Sequence, residues 1–293
     1  MNAGPAISRL VRFGLTTGNA LQLATFYEAA FDCRRLTSRH LCGPAFENLM
    51  DVEGGAESIA LSLGSQRIDL LQFDSPGRIY PAGAVSSDLI FQHFAIVVTD
   101  MRQAYQKLLC VEGWSPISNG GPQRLPESSG GVTAFKFRDP DGHPLELIAF
   151  PPDGIPLAWK ADRGLFAGID HSAIVVRDTP RSLAFYEALG LSVMSRSLNS
   201  GIEQEKLDGI CGPRLEVTAL VPHQPTPHIE LLCYGSGARH PHGVPRSNDV
   251  AATRVIMETE RTAEGRVACR RLCDPDGHRF LIVPRGVLLE TYS

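Results

Sequence analysis

A pentapeptide that occurs twice constrains this chain most. Asp139-Pro140-Asp141-Gly142-His143 precedes the apolar run Leu145-Glu146-Leu147-Ile148, and Asp274-Pro275-Asp276-Gly277-His278 precedes Phe280-Leu281-Ile282-Val283. Proline pre-sets φ and glycine supplies a positive φ, so each copy predicts a tight turn opening a strand. The copies differ inside that strand. Glu146 places a carboxylate among apolar residues where the second copy has Leu281. A repeated turn is a mark of fold, but a carboxylate kept in one copy and lost in the other points to a site.

Further repeats surround the turns. Leu23-Ala24-Thr25-Phe26-Tyr27-Glu28-Ala29 matches Leu183-Ala184-Phe185-Tyr186-Glu187-Ala188-Leu189, about 160 residues on, and Ile68-Asp69-Leu70-Leu71 matches Ile229-Glu230-Leu231-Leu232 at nearly that offset. The chain therefore reads as two halves, 1–153 and 154–293, joined by the Pro/Gly-rich segment Pro151-Pro152-Asp153-Gly154-Ile155-Pro156. Each half divides again, because His93-Phe94-Ala95-Ile96-Val97-Val98 matches His171-Ser172-Ala173-Ile174-Val175-Val176. Four modules result, at about 8–75, 89–150, 167–235 and 247–285, each a strand, a helix and further strands. The fourth is truncated, with no room for a full helix and strand between Arg254 and the Asp274 turn. Asp100 is expected to cap the second helix, with Met101, Ala104, Tyr105, Leu108 and Leu109 on one face. In the third helix Thr179 is expected to cap, Pro180 to sit at the first helical position and Gly190 to end it.

Composition excludes several classes. A net charge of −4 over 293 residues gives no basic surface for nucleic acid or an anionic membrane. No apolar run is long enough to span a bilayer. Met1-Asn2-Ala3-Gly4-Pro5 lacks the charged and apolar regions of a signal peptide. The seven cysteines are odd in number, with no CxxC pair, which suits reduced thiols in a cytoplasm.

Strand alternation sorts the candidate residues. His93, Ala95 and Val97 share one face, and Phe94, Ile96 and Val98 the other, which can pack on a helix. His93 then points to the concave side, and His171 repeats this beside Ala173 and Val175. Glu146 and Glu230 sit in apolar strands, where a carboxylate is costly unless paired or metal-bound. Asp139, Asp274, His143 and His278 read as turn residues. His240-Pro241-His242 reads as a solvated loop. Phe46, Glu47, Gln204, Glu205 and Lys206 lie in corresponding loops as weak candidates for a substrate mouth.

The paired modules, the DPDGH-x-x-E turn and the first-strand histidine resemble the vicinal oxygen chelate superfamily of glyoxalase I, fosfomycin-resistance proteins, extradiol dioxygenases and bleomycin-binding proteins. The resemblance covers nearly the whole chain and implies an α+β fold in which βαβββ modules form two open barrel-like cups. It also implies that first-strand and last-strand residues of two modules hold a divalent metal. Carried over, the ligands are His93, Glu146, His171 and Glu230, with Glu146 and Glu230 also catalytic. The first module departs from the pattern with Arg12 and Asp69, the fourth with Arg254 and Leu281. If the middle modules pair, all four standard ligands share one cup, and both arginines fall in the other; the internal comparison favours this over pairing of neighbours.

Two imidazoles and two carboxylates suit Fe²⁺, Mn²⁺, Ni²⁺, Co²⁺ or Zn²⁺. The metal would polarise a substrate oxygen while a carboxylate moves a proton, the logic of an isomerase or lyase acting on a small molecule with adjacent oxygens. Two alternatives stand beside it: an extradiol-type dioxygenase, and a metal-free protein that sequesters small molecules. Arg12, Asp69 and Arg254 are candidates for binding substrate, against an equally weighted salt bridge of Arg12 with Asp69. The chain is expected to be a monomer or homodimer.

Overall fold

The computed structural model describes residues 6–161, 164–235, 238–239, 243–259 and 269–286. His240-Pro241-His242 lies outside them. The first quarter runs β1 (Ile7–Thr16), α1 (Ala20–Phe31), β2 (Arg34–Leu41), α2 (Pro44–Met50), β3 (Ala56–Leu63) and β4 (Gln66–Phe73). The second runs β5 (Gln92–Val98), α3 (Met101–Leu109), the short β6 (Ser115–Pro116) and β7 (Gln123–Arg124), β8 (Thr133–Arg138) and β9 (Pro144–Ala149). After the linker come β10 (Phe166–Val175), α4 (Thr179–Ala188), β11 (Ser192–Asn199), α5 (Ile202–Asp208), β12 (Leu215–Val221) and β13 (His228–Cys233). Last are β14 (Arg254–Thr259), β15 (Arg270–Cys273) and β16 (Arg279–Pro284).

The strands form two mixed sheets, and each draws on both sides of the linker. One has the order β15-β16-β14-β1-β4-β3-β2; the other runs β11-β12-β13-β10-β5-β9-β8-β6, with β7 also on β8. The joins are antiparallel, β1 with β14 and β5 with β10. The middle modules thus share one sheet, and the outer ones share the other. Register sets His93 opposite Ala173 and His171 opposite Ala95, so both imidazoles emerge on one face near the sheet's centre.

The convex faces of both sheets and the helices between them make one core. Phe94, Ile96 and Val98 of β5 join Phe13 and Leu15 of β1, Tyr27 and Phe31 of α1, and Ile174 of β10 in a single apolar cluster. The Phe13 and Phe94 rings meet at 5.5 Å across the sheets. Alternation sends Ala95 and Val97 to the other face, against Ile148 and Trp159.

The repeated turns tie the two layers together. Asp139 Oδ1 accepts from the backbone N–H groups of Asp141 and His143 at 3.0 and 2.9 Å, and Asp274 Oδ1 does the same for Asp276 and His278 at 2.9 Å each. The second oxygen of each aspartate accepts a helix tyrosine: Tyr27 on Asp139 at 3.1 Å, Tyr186 on Asp274 at 2.9 Å. Gly142 and Gly277 take φ of 95° and 94°, as the turn requires.

Three local expectations are corrected. Asp100 does cap α3, but Leu109 lies 47% exposed, beyond the buried face of Met101, Ala104 and Leu108. The cap of α4 is Asp178, which accepts from Arg181 N at 2.8 Å; Thr179 is already helical. Phe46 and Glu47, and Gln204 to Lys206, lie in the short helices α2 and α5, each entered through a glycine at positive φ.

Candidate functional site

The concave face of the middle sheet opens as a cleft of about 650 Å³, a volume suited to a small molecule. Its floor holds His93 from β5, Glu146 from β9, and His171 and Glu230 from β10 and β13. His93 Nε2 lies 3.1 Å from Glu146 Oε2, and His171 Nε2 lies 3.5 Å from Glu230 Oε2. The two imidazoles are 5.8 Å apart, centre to centre. One ligand atom each from His93, Glu146 and His171 falls within 4.8 Å of the others.

Three residues that sequence reasoning missed complete this floor. Asp170 also faces the cleft, because a register irregularity between Ile169 and His171 breaks the alternation. Its carboxylate lies 3.1 Å from His171 Nδ1 and accepts from Trp159 Nε1 at 2.8 Å. His228 stands opposite His171 in the β10–β13 ladder, two residues before Glu230, with its Nε2 3.6 Å from Glu230 Oε1. Lys136 stands opposite Glu146 in the β8–β9 ladder, 3.8 Å from Glu146 Oε2 and 2.7 Å from Asp208 Oδ1. A signal existed for two of them. Phe135-Lys136-Phe137 is a charge between aromatics, as Leu145-Glu146-Leu147 is between leucines. His228 shares a strand face with Glu230.

Burial and charge set the protonation states. Burial pulls the His93 imidazole below its ordinary value, outweighing the pull of Glu146. Burial raises Glu146, but His93 and Lys136 overcome it and hold the carboxylate below its usual range. Burial opposes charge on His171, yet Glu230 and Asp170 push it up to about 9. Glu230 falls to about 2, because His171 and His228 outweigh its burial. Each carboxylate is thus ionised, and His93 is the neutral imidazole that metals require.

These residues fit a divalent ion on one further observation. His93 is buried to 2% exposure, and apart from the Nε2 approach to Glu146, which lacks hydrogen-bond geometry, neither of its ring nitrogens has a partner among the described residues. Buried polar atoms normally have a partner, and a nitrogen lone pair directed into a histidine–carboxylate cluster suits a metal ion. His171 is oriented the same way: Asp170 engages Nδ1 and leaves Nε2 toward the cluster, the usual support of a metal-bound imidazole.

Arg12, Asp69 and Arg254 do not line this cleft. They lie in the other sheet, where Arg12 Nη1 meets Asp69 Oδ2 at 3.5 Å, both buried. Arg254 donates to Thr16 Oγ1 at 2.9 Å and to the Ser247 carbonyl, and its guanidinium stacks over Phe73 at 5.5 Å. Beside them, Phe46 and Met50 of α2 pack with Leu71, Phe73, Ile256 and Leu281 in an apolar cluster. At matching positions α5 has Gln204 for Phe46 and Asp208 for Met50. One face is sealed with hydrocarbon and the other kept polar.

The fold is glyoxalase-like. Glyoxalase I from Zea mays superposes with a TM-score of 0.62 at 17% identity, over 97% of this chain and 95% of that one. A candidate dioxygenase from Bacillus subtilis gives 0.57 at 11% identity, over 98% and 88%. No family model and no curated protein sequence matches the chain.

Proposed function

We propose that this chain is a divalent-metal-dependent enzyme that acts on a small molecule with adjacent oxygens, by glyoxalase-, isomerase- or lyase-like chemistry. The observation that carries this is the buried His93 imidazole, with Nδ1 unpartnered and Nε2 facing Glu146 and His171 at the floor of a cleft. His93, Glu146, His171 and Glu230 would hold the ion, which is Fe²⁺, Mn²⁺, Ni²⁺, Co²⁺ or Zn²⁺. When bound, it would supply Lewis-acid polarisation of the substrate oxygens.

The remaining chemistry belongs to the chain. Glu230 has the more open carboxylate, with a side chain 23% exposed against 7% for Glu146, and we assign it to move the proton on the carbon next to the polarised oxygen. His228, against its other oxygen, positions that carboxylate. Lys136 holds Glu146 ionised, and Asp170 fixes the His171 ring. Leu207, Leu215, Val217 and Leu232 line the walls and limit water. Arg12, Asp69 and Arg254 we read as holding the second cup together. The cytoplasm and a monomer or homodimer fit this reading, and no helix among the described residues is long and apolar enough to cross a membrane.

Turnover of dicarbonyls and hydroxy acids, screened with each metal, tests the proposal. The expected result is metal-dependent turnover that His93→Ala abolishes. Oxygen consumption with a catechol in place of that turnover would establish the dioxygenase alternative. Ligand binding that survives both His93→Ala and His171→Ala, with no turnover under any metal, would establish a metal-free binding protein.

A further inference from the structure

The cleft has a second polar feature, joined to the first through Lys136, which stands between Glu146 and Asp208. Asp208, at the end of α5, is a fully buried carboxylate that accepts from Lys136 Nζ at 2.7 Å, from Tyr234 Oη at 2.9 Å and from Gln204 Nε2 at 2.7 Å. A carboxylate that these three groups hold can only accept, so the Gln204 amide is fixed with its nitrogen on Asp208. Its oxygen, Oε1, is then left as an acceptor. Gln204 is 2% exposed and lines the cleft, and Oε1 has no hydrogen-bond partner among the described residues. Asn199, 8% exposed at the end of β11, lines the same cleft with Oδ1 likewise unpartnered.

The element that carries Gln204 is held rigidly. Ser118 Oγ donates to the Leu207 carbonyl at 2.9 Å, Asn119 N to that of Lys206 at 2.7 Å, and Ser86 Oγ to that of Asp208 at 2.8 Å. A side chain attached at Gly209 would stand 2.7 Å from the Ile117 carbonyl, so the helix end fits closely against its neighbour. Acceptors fixed in place before binding pay little ordering cost. The cations in the cleft lining are equally telling. Lys136 is spent on Asp208, and Arg196 is exposed on β11. Around these acceptors the wall is apolar, with Leu207, Leu125 and Val132 packed together.

We infer that Gln204 is a specificity-determining acceptor that selects a neutral, apolar-bodied substrate carrying a hydroxyl or N–H donor besides the oxygens that face His93 and His171. This rests on the reading of the cleft as the substrate site. A carboxylate or phosphate against Gln204 is disfavoured, because it would meet a fixed acceptor oxygen while Lys136 is already paired with Asp208. A site that must satisfy buried acceptors discriminates against the analogue lacking the donor.

Three catechols with the same chelating head serve as probes: 4-propylcatechol, 4-(3-hydroxypropyl)catechol and 3-(3,4-dihydroxyphenyl)propanoate. Their binding to the full chain is measured by calorimetry, with Zn²⁺ loaded to avoid redox chemistry and again after metal stripping. The hydroxypropyl probe is expected to bind about tenfold more tightly than the propyl probe, with the carboxylate weakest. Gln204→Leu, or Gln204→Met if the leucine variant does not fold, should bring the first two within about twofold of each other. Equal binding of hydroxypropyl and propyl probes to the wild type, or tightest binding of the carboxylate, would overturn the inference without any variant. The comparison among probes is read the same way with and without metal. Stripping that leaves all three affinities unchanged would count against the metal reading alone.

Discussion

His143 donates from both ring nitrogens. Nε2 lies 2.9 Å from the Thr16 carbonyl and 3.1 Å from that of Val250, which only accept, while Nδ1 lies 2.8 Å from Asp139 Oδ2. An imidazole with acceptors at both nitrogens is held as the cation: burial opposes the charge, but Asp139, Asp141 and the Thr16 carbonyl raise its pKa. The sign for stability follows. The stabilisation is fully present below the unfolded value of about 6.5 and fades as pH rises through the higher folded value. Urea unfolding of wild type and His143→Gln should therefore differ most at acidic pH and converge at alkaline pH; a difference growing with pH would contradict the assignment. Asp170 offers a second test at this scale. Asp170→Asn removes the charge that orients His171 and should weaken metal binding about tenfold or more. An unchanged affinity in competition with a chelator would exclude that role.

At the scale of elements, α2 and α5 show how one repeat was filled with hydrocarbon and the other left polar. Phe46 is 1% exposed within the α2 cluster, and Phe46→Ala should cost about 3–5 kcal/mol in equilibrium unfolding while leaving metal content unchanged. Loss of metal in that variant would show the two cups to be coupled. The repeats made much of this legible. Alternation placed Phe94, Ile96 and Val98 in the core and His93 on the open face, because a period of two depends only on backbone geometry. The turn residues were readable because their own side chains close the turn. Asp170 was not readable: a strand irregularity turns it into the cleft beside its neighbour His171, which strict alternation forbids. The pairing of Asp208 with Lys136 escaped for another reason. Their meeting is tertiary, between α5 and β8, and no local pattern joins residues that far apart. The α4 cap moved one residue because Asp178 and Thr179 are both good caps and only the backbone decides between them.

For the whole molecule, the arrangement interlocks. Sheets join the first module with the fourth and the second with the third, whereas the turns join first with second and third with fourth, through Tyr27 to Asp139 and Tyr186 to Asp274. Neither half owns a complete sheet. Residues 1–153 expressed alone would leave the partner edges of β1 and β5 uncovered, so they should self-associate or aggregate; co-expression with 154–293 should restore a soluble complex. A stable, monomeric half would show the sheets to be separable. The same interlock brings His93 and Glu146 from one half to His171 and Glu230 from the other, so the floor of the cleft exists only in the assembled chain. The direct measurement is the bound-metal content of protein purified without a histidine tag, beside His93→Ala and His171→Ala. One divalent ion per chain, lost in each single variant, is the expected result, because one ion would bridge both halves. Protein that stays metal-free after soaking in Fe²⁺, Mn²⁺, Ni²⁺, Co²⁺ or Zn²⁺, or variants that keep the ion, would contradict a shared metal centre.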